Sequence, residues 1–285
     1  MAIDISERIL KEFHSFSKGQ KRIANAILNS YDKTAYMTAA RLGRSVGVSE
    51  STVVRFAGVL GYDGYSAMQK AIQELVRIKS TPNQRIEITK QRIGRRDVIE
   101  NVMDSDIRKI RYSLENLNRD TFNNAVSSIL SAKTIYVTGA RSAEPIAKIL
   151  HYNLSLIFDN VKFVTSNSIA EIFEQILSIS EEDVLIAFSF PRYSSKMINA
   201  VKFAKSNGAT VIGFTDSAVS PIAEHSTYLL PAQSDMASFM DSLVAPICII
   251  NSIIVEITRR REREITKRFE KLEQIWDEYD VYTKR

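Results

Sequence analysis

Residues 39–58, AARLGRSVGVSESTVVRFAG, set two short amphipathic helices around a glycine, and no other stretch so narrows what this chain can fold into. Gly43 is small where two helices must cross closely, Gly47 suits the backbone twist of a turn, and Val46, Val48, Val53 and Phe56 can pack the pair together. The spacing predicts a helix-turn-helix whose second helix enters a DNA major groove. Ser49 is the expected N-cap of that helix. Ser49, Ser51, Thr52 and Arg55 would face the DNA, and Arg41 and Arg44 on the first helix are candidate phosphate contacts. Any short helical hairpin can show a glycine between apolar stripes, but it does not also need the cap and the cation.

The 285 residues are enough for two domains, and 45% hydrophobic content gives each a core and argues against disorder. Charge is uneven along the chain. Residues 1–80 hold 12 Lys and Arg against 7 Asp and Glu, residues 81–130 hold 9 against 7, and residues 131–285 hold 17 against 19. The basic excess therefore sits with the helix-turn-helix, as an electrostatic footprint on phosphates requires. The single cysteine, Cys248, lies in the apolar run 243–250 and reads as core packing, which excludes an intrachain disulfide framework. A reducing cytoplasm is the expected location. No signal segment is expected at the N-terminus, and the most apolar window, 243–255, is too short and too interrupted to span a bilayer. His14, His151 and His225 are scattered, so neither a metal nor any other cofactor is expected.

Ahead of the motif, residues 5–16 and 17–31 both read as helices, the second opened by a Ser17-x-x-Gln20 capping box. Behind it, a turn at 61–64 leads to an amphipathic helix over 65–78, completing a five-helix head over residues 1–78. Residues 79–96, KSTPNQRIEITKQRIGRR, with Pro82, Gly94 and little apolar periodicity, read as a linker. Residues 97–285 then form the second domain. It opens with a long helix from Asp97 and another capped by Asp120. Short apolar strands follow at 135–138, 161–164, 184–190, 211–214 and 228–230, separated by helices at 143–158, 169–178 and 195–207. This alternation predicts a parallel sheet covered on both faces, so the fold class is an all-helical head joined to an α/β sandwich. A long helix over 237–260 and a charged helical tail close the chain. The 237–260 helix could serve a dimer or lie buried in the monomer.

In an open parallel sheet a ligand sits at the carboxyl ends of the strands, near the point where strand order reverses. Two loops qualify. Gly139-Ala140-Arg141-Ser142 follows the first strand, and Ser189-Phe190-Pro191-Arg192-Tyr193-Ser194-Ser195 follows the third. Both deliver hydroxyls and a cation to a helix start, where free N–H groups favour anions, so a phosphorylated small molecule fits them. The bland alternative is that Ser142 and Ser194 merely cap helices.

In Ser17–Ala24, in Val48–Phe56 through Leu60-Gly61-Tyr62, and in Ile135–Ser142, Asp183–Ser195 and Gly208–Thr215, the chain resembles the RpiR/MurR-type family of bacterial transcription regulators. These join a helix-turn-helix head to a sugar-isomerase (SIS) domain. The resemblance implies a homodimeric or homotetrameric regulator of sugar catabolism that binds an operator in double-stranded DNA and a phosphosugar effector; the strand-end loops offer Gly139, Arg141, Ser142, Ser189, Arg192, Ser194 and Ser195 as the effector contacts. Two loops depart from the family pattern. Its Gly-x-Gly-x-Ser loop has Arg141 at the second glycine, and its Ser-x-Ser-Gly-x-Thr loop has Pro191 for the second serine and Arg192 for the glycine. The arginines either replace backbone donors as charge-assisted phosphate contacts or fill the pocket and change the ligand class.

The alternative function is a phosphosugar isomerase with an accessory helical head. Isomerisation needs a general base beside the sugar carbonyl. Glu144, Glu171 and His225 are the candidates, but none falls in a constellation with catalytic spacing, and the two glutamates have ordinary roles at helix starts. No catalytic residue is expected.

Overall fold

The computed structural model describes residues 4–93, 97–165, 167–235 and 238–283. Its chain divides into two compact units, residues 1–102 with 235–241, and residues 103–234 with 242–285.

The first unit is helical: α1 (Ile5–Glu12), α2 (Lys18–Asn29), α3 (Tyr31–Thr34), α4 (Ala39–Val46), α5 (Glu50–Val59), α6 (Tyr65–Lys79), α7 (Pro82–Ile93) and the start of α8 (Val98–Asn116). The Ser17–Gln20 capping box forms as expected and opens α2. Ile9, Ile23, Ile27, Leu42, Val53, Phe56, Met68 and Ile72 are fully buried in one core, with Phe16 and Phe56 edge to face at 5.1 Å. Each such aliphatic side chain contributes about 1.5–3 kcal/mol by leaving water.

The segment expected as a linker is largely helical. Most of residues 79–96 is α7, and residues 94–96 lie outside the described residues. Thr81 and Gln84 form a second capping box, with Gln84 N donating to Thr81 Oγ1 and Thr81 N donating to Gln84 Oε1, and Pro82 takes the first helical position, where its missing N–H costs nothing. Proline here starts a helix rather than breaking one. Ile88 and Arg85 are buried. Arg85 Nη1 meets Asp241 Oδ1 at 3.0 Å with both side chains about 95% covered, and Arg85 Nη2 donates to the carbonyl of Arg77. Burial pushes the Asp241 carboxyl up, further than Arg85 and Arg77 pull it down. This pair ties residues 235–241 into the first unit.

The second unit holds the rest of α8, then α9 (Arg119–Ser131), β1 (Ile135–Gly139), α10 (Glu144–Ile157), β2 (Val161–Val164), α11 (Ile169–Gln175), β3 (Val184–Phe188), α12 (Ser195–Ser206), β4 (Thr210–Thr215), β5 (Tyr228–Pro231), α13 (Val244–Arg260) and α14 (Glu262–Glu278). The cap of α9 is Asn118 rather than Asp120, which sits in the first turn where its charge complements the helix dipole. All five strands are parallel, in the order β2-β1-β3-β4-β5. Alternate residues feed opposite faces. Ile135, Val137, Val184, Ile186, Phe188, Ile212 and Phe214 pack with α9, α10 and α13, whereas Tyr136, Leu185, Ala187 and Val211 pack with α11 and α12. Central strands β1 and β3 are buried throughout, as read from their apolar runs, but the edge strands β2 and β5 are half exposed.

The expected start of the long C-terminal helix at Ala237 lies outside the described residues, and α13 begins at Val244. Its Ala245, Ile249, Ile250, Ile253 and Ile257 face the sheet core, so this face is spent within the monomer. Cys248 is half buried rather than fully in the core. No helix among the described residues is long and apolar enough to cross a membrane, and no group of three or more metal-ligating side chains converges there.

Candidate DNA interface and effector cleft

The helix-turn-helix closes on two glycines. Gly47 holds φ +67°, the left-handed region, and its N–H and that of Val48 return to the carbonyls of Arg44 and Gly43 to end α4. A Cβ on Gly43 would stand 2.8 Å from the carbonyl oxygen of Val48, so only glycine lets the turn lie this close. Thr38 caps α4, and Tyr65 and Gln69 on α6 both donate to the Met37 carbonyl, fixing the chain before it. Ser49 caps α5 as expected, accepting from Thr52 N.

The first turn of α5 is left open to solvent. Ser49, Ser51 and Arg55 are exposed, Thr52 is half buried, and Ser49 Oγ lies 2.9 Å from Ser51 Oγ and 2.8 Å from Thr52 Oγ1. Arg55 Nε donates to the Ser51 carbonyl, which lays the guanidinium along the helix. Arg41 and Arg44 are exposed on α4. Sequence reasoning did not single out Arg22. On α2, its guanidinium would lie 3.0 Å from a Cβ at Gly47, and Gly19 lies against Val48 and Thr52. The signal was present in the basic run Lys18-Gly19-Gln20-Lys21-Arg22, which brings further positive charge beside the turn.

In the second unit strand order reverses between β1 and β3, so the two loops anticipated as a site emerge side by side. Between them lies a cleft of about 330 Å³, lined by Ala140 and Arg141 from the first loop and residues Arg192 through Lys196 from the second. Of the anticipated residues it joins Arg141, Arg192, Ser194 and Ser195. Gly139, Ser142 and Ser189 do not line it. Gly139 has a structural reason, because a Cβ there would stand 2.7 Å from the Ala143 carbonyl. Ser142 is exposed in a single 3₁₀ turn over Arg141–Ala143 and caps nothing, and by strict counting the serine of a Gly-x-Gly-x-Ser loop falls on Ala143. Ser194 holds the N-cap position of α12 without making a side-chain cap bond. The hydroxyl of Ser189 is buried and has no hydrogen-bond partner among the described residues, a state that costs about 1–3 kcal/mol.

Arg141 has φ +58°, a left-handed backbone that costs an arginine about 1–2 kcal/mol of strain. Tyr193 Oη donates to Asp216 Oδ1 at 2.9 Å, Thr215 Oγ1 donates to the same oxygen, and Lys196 Nζ donates to the Asn167 carbonyl. Tyr193 and Lys196 were overlooked because tyrosine and lysine belong to neither loop pattern. The candidate bases stand outside the cleft. Glu144 pairs with Lys148 at 2.8 Å, Glu171 is exposed, and His225 lies beside Glu224.

Comparison with known proteins agrees with this division. Residues 3–76 match the helix-turn-helix domain of the rpiR family, and residues 128–256 match the SIS domain. The HTH-type transcriptional regulator HexR of Escherichia coli is 24% identical over 268 residues, covering 91% of this chain and 89% of that protein. An HTH-type transcriptional regulator of Haemophilus influenzae is 25% identical, covering 80% and 79%. Among solved structures, the Vibrio vulnificus NanR protein complexed with ManNAc-6P superposes with a TM-score of 0.61 at 18% identity over 99% of this chain and all of that one. The sugar isomerase domain of the Sphaerobacter thermophilus RpiR transcription factor gives 0.58 at 22%, covering 61% and 97%. These relatives are regulators with a DNA-binding head, which sets the isomerase alternative aside. The chain belongs to the RpiR-type family of helix-turn-helix transcriptional regulators, with an SIS domain as its ligand-responsive part.

Proposed function

We propose that the chain senses a phosphorylated sugar in the β1/β3 cleft and reports it to an operator held by α4 and α5. The observation that carries the reading is the convergence of Arg141, Arg192, Ser194 and Ser195 on one cleft at the strand-order switch. Guanidiniums, hydroxyls and the N-terminus of α12 are the donors an anionic group needs there. The unpartnered Ser189 hydroxyl and the exposed Ser142 flank the same loops.

On the DNA side, Ser49, Ser51, Thr52 and Arg55 read the major groove, and Arg41 and Arg44 hold phosphates. A homodimer or homotetramer in the cytoplasm presents two heads to successive major grooves about 34 Å apart on a near-palindromic operator.

Gel retardation with genomic fragments tests the head. Arg55→Ala should abolish retention while circular dichroism stays unchanged. Unaltered retention by the folded variant removes Arg55 from the interface. For the cleft, Ser194→Ala should remove the effector response and leave DNA binding intact, and a surviving response means the effector binds elsewhere.

A further inference from the structure

One face of α8 is apolar where nothing in the second unit covers it. Met103, Ile107 and Leu114 are 63%, 52% and 55% exposed, and Ile110 beside them is half buried. They recur in steps of four, three and four residues, which sets them in one line along the helix. A different face of α8, through Lys109 and Ser113, is the one buried in the monomer. Single apolar side chains on a surface need no explanation, but four in a line mark an interaction surface.

The line runs into a groove of about 260 Å³ between α8 and α13, walled by Ile110 and Leu114 on one side and by Ala245, Cys248 and Ile249 on the other. Two turns on from Cys248, Val255 carries the same side of α13 outward at 67% exposure. Charge along the line is divided by position. Asp104 stands towards its N-terminal end and Arg111 towards its C-terminal end, on the same flank, and both are exposed. Neither has a partner among the described residues. Seven residues apart, they are about 10 Å from one another along their own helix, too far to pair.

From this we infer that α8 packs antiparallel against α8 of a second copy of this chain, about a two-fold axis level with the peptide between Arg108 and Lys109. That placement sets Met103 opposite Leu114 and Ile107 opposite Ile110, so each member of the line meets an apolar side chain on the other copy. The unbranched Met103 side chain then reaches the groove beside Leu114 of the second copy. A two-fold axis turns the same flank of each helix towards the other. Asp104 of each copy comes within about 3 Å, along the axis, of the level of Arg111 on the other, and two ion pairs result. A parallel pairing would instead set Asp104 against Asp104 and Arg111 against Arg111, and like charges disfavour it. This rests on the reading of the chain as a homo-oligomer and names the face it uses.

Sedimentation velocity of the full chain over a range of concentrations, at about 0.15 M salt, tests it. The unaltered chain should sediment as a dimer or tetramer. Ile107→Glu, a change at an exposed position that should leave circular dichroism unaltered, should halve the mass by weakening association at least about a hundredfold, because it buries a carboxylate against Ile110. Asp104→Arg and Arg111→Asp should each loosen association about tenfold, and the two together should bring it back to within about threefold of the unaltered chain. If the chain is an oligomer and Ile107→Glu leaves its mass unchanged, or if the double charge reversal associates no more tightly than either single one, the inference is overturned and the homo-oligomer reading stands. An unaltered chain that is monomeric throughout means that a different partner covers this face, and the homo-oligomer reading falls together with the inference.

Discussion

Gly43 and Arg141 show the two ways a single backbone position decides function here. At Gly43 the constraint is space. Gly43→Ala puts a methyl 2.8 Å from a carbonyl that cannot retreat without opening the turn, and should cost about 1–3 kcal/mol in urea unfolding. Gly58, near the end of α5 with nothing within 4 Å of a built Cβ, is the control: Gly58→Ala should gain about 0.5–1 kcal/mol. Equal effects at both positions would contradict the close crossing of α4 and α5. At Arg141 the constraint is conformation, since an arginine stands in a backbone that favours glycine. The glycines of the turn were legible in the sequence because a helix-turn-helix tolerates few alternatives at those points. The left-handed Arg141 was legible only as a departure from a pattern, since nothing in an arginine announces a positive φ.

At the scale of elements, whatever depended on local chemistry could be read and whatever depended on distant partners could not. The Ser17–Gln20 box, the Ser49 cap and the buried central strands followed from spacing alone. Helix α7 carried the same kind of signal in Thr81, Pro82 and Gln84, but its charged, weakly periodic face suggested a linker. Its anchor is Arg85, whose partner Asp241 is 156 residues away, and no sequence pattern links them. Because both side chains are buried, Arg85→Ala takes away the cation hydrogen-bonded to Asp241, leaving only the field of Arg77, and should cost about 3 kcal/mol, read as a large fall in thermal midpoint. Arg85→Met with Asp241→Leu removes both charges and should recover most of that loss. A double variant no more stable than Arg85→Ala would show that the pair is not the anchor. The effector loops were found because strand order brings β1 and β3 together, yet Tyr193 and Lys196 joined the cleft only once α12 was in place.

For the whole molecule, the proposed function joins a reader of duplex DNA and a sensor of a phosphorylated metabolite in one chain, coupled through a free energy that both ligands share. Such coupling is reciprocal: the factor by which effector changes DNA affinity must equal the factor by which DNA changes effector affinity, and a physiological switch needs about 5- to 150-fold. DNA binding should also weaken steeply with salt, and Arg44→Ala should lower the slope of that dependence by about one ion if Arg44 holds a phosphate. The decisive measurement is a fluorescence-anisotropy titration of the full chain onto its best-retained genomic fragment, with and without a saturating amount of the tightest-binding phosphosugar probe. The expected result is a several-fold change in DNA Kd that is matched by the change in probe Kd on the DNA-bound protein. A DNA Kd that stays the same at saturating probe would contradict it.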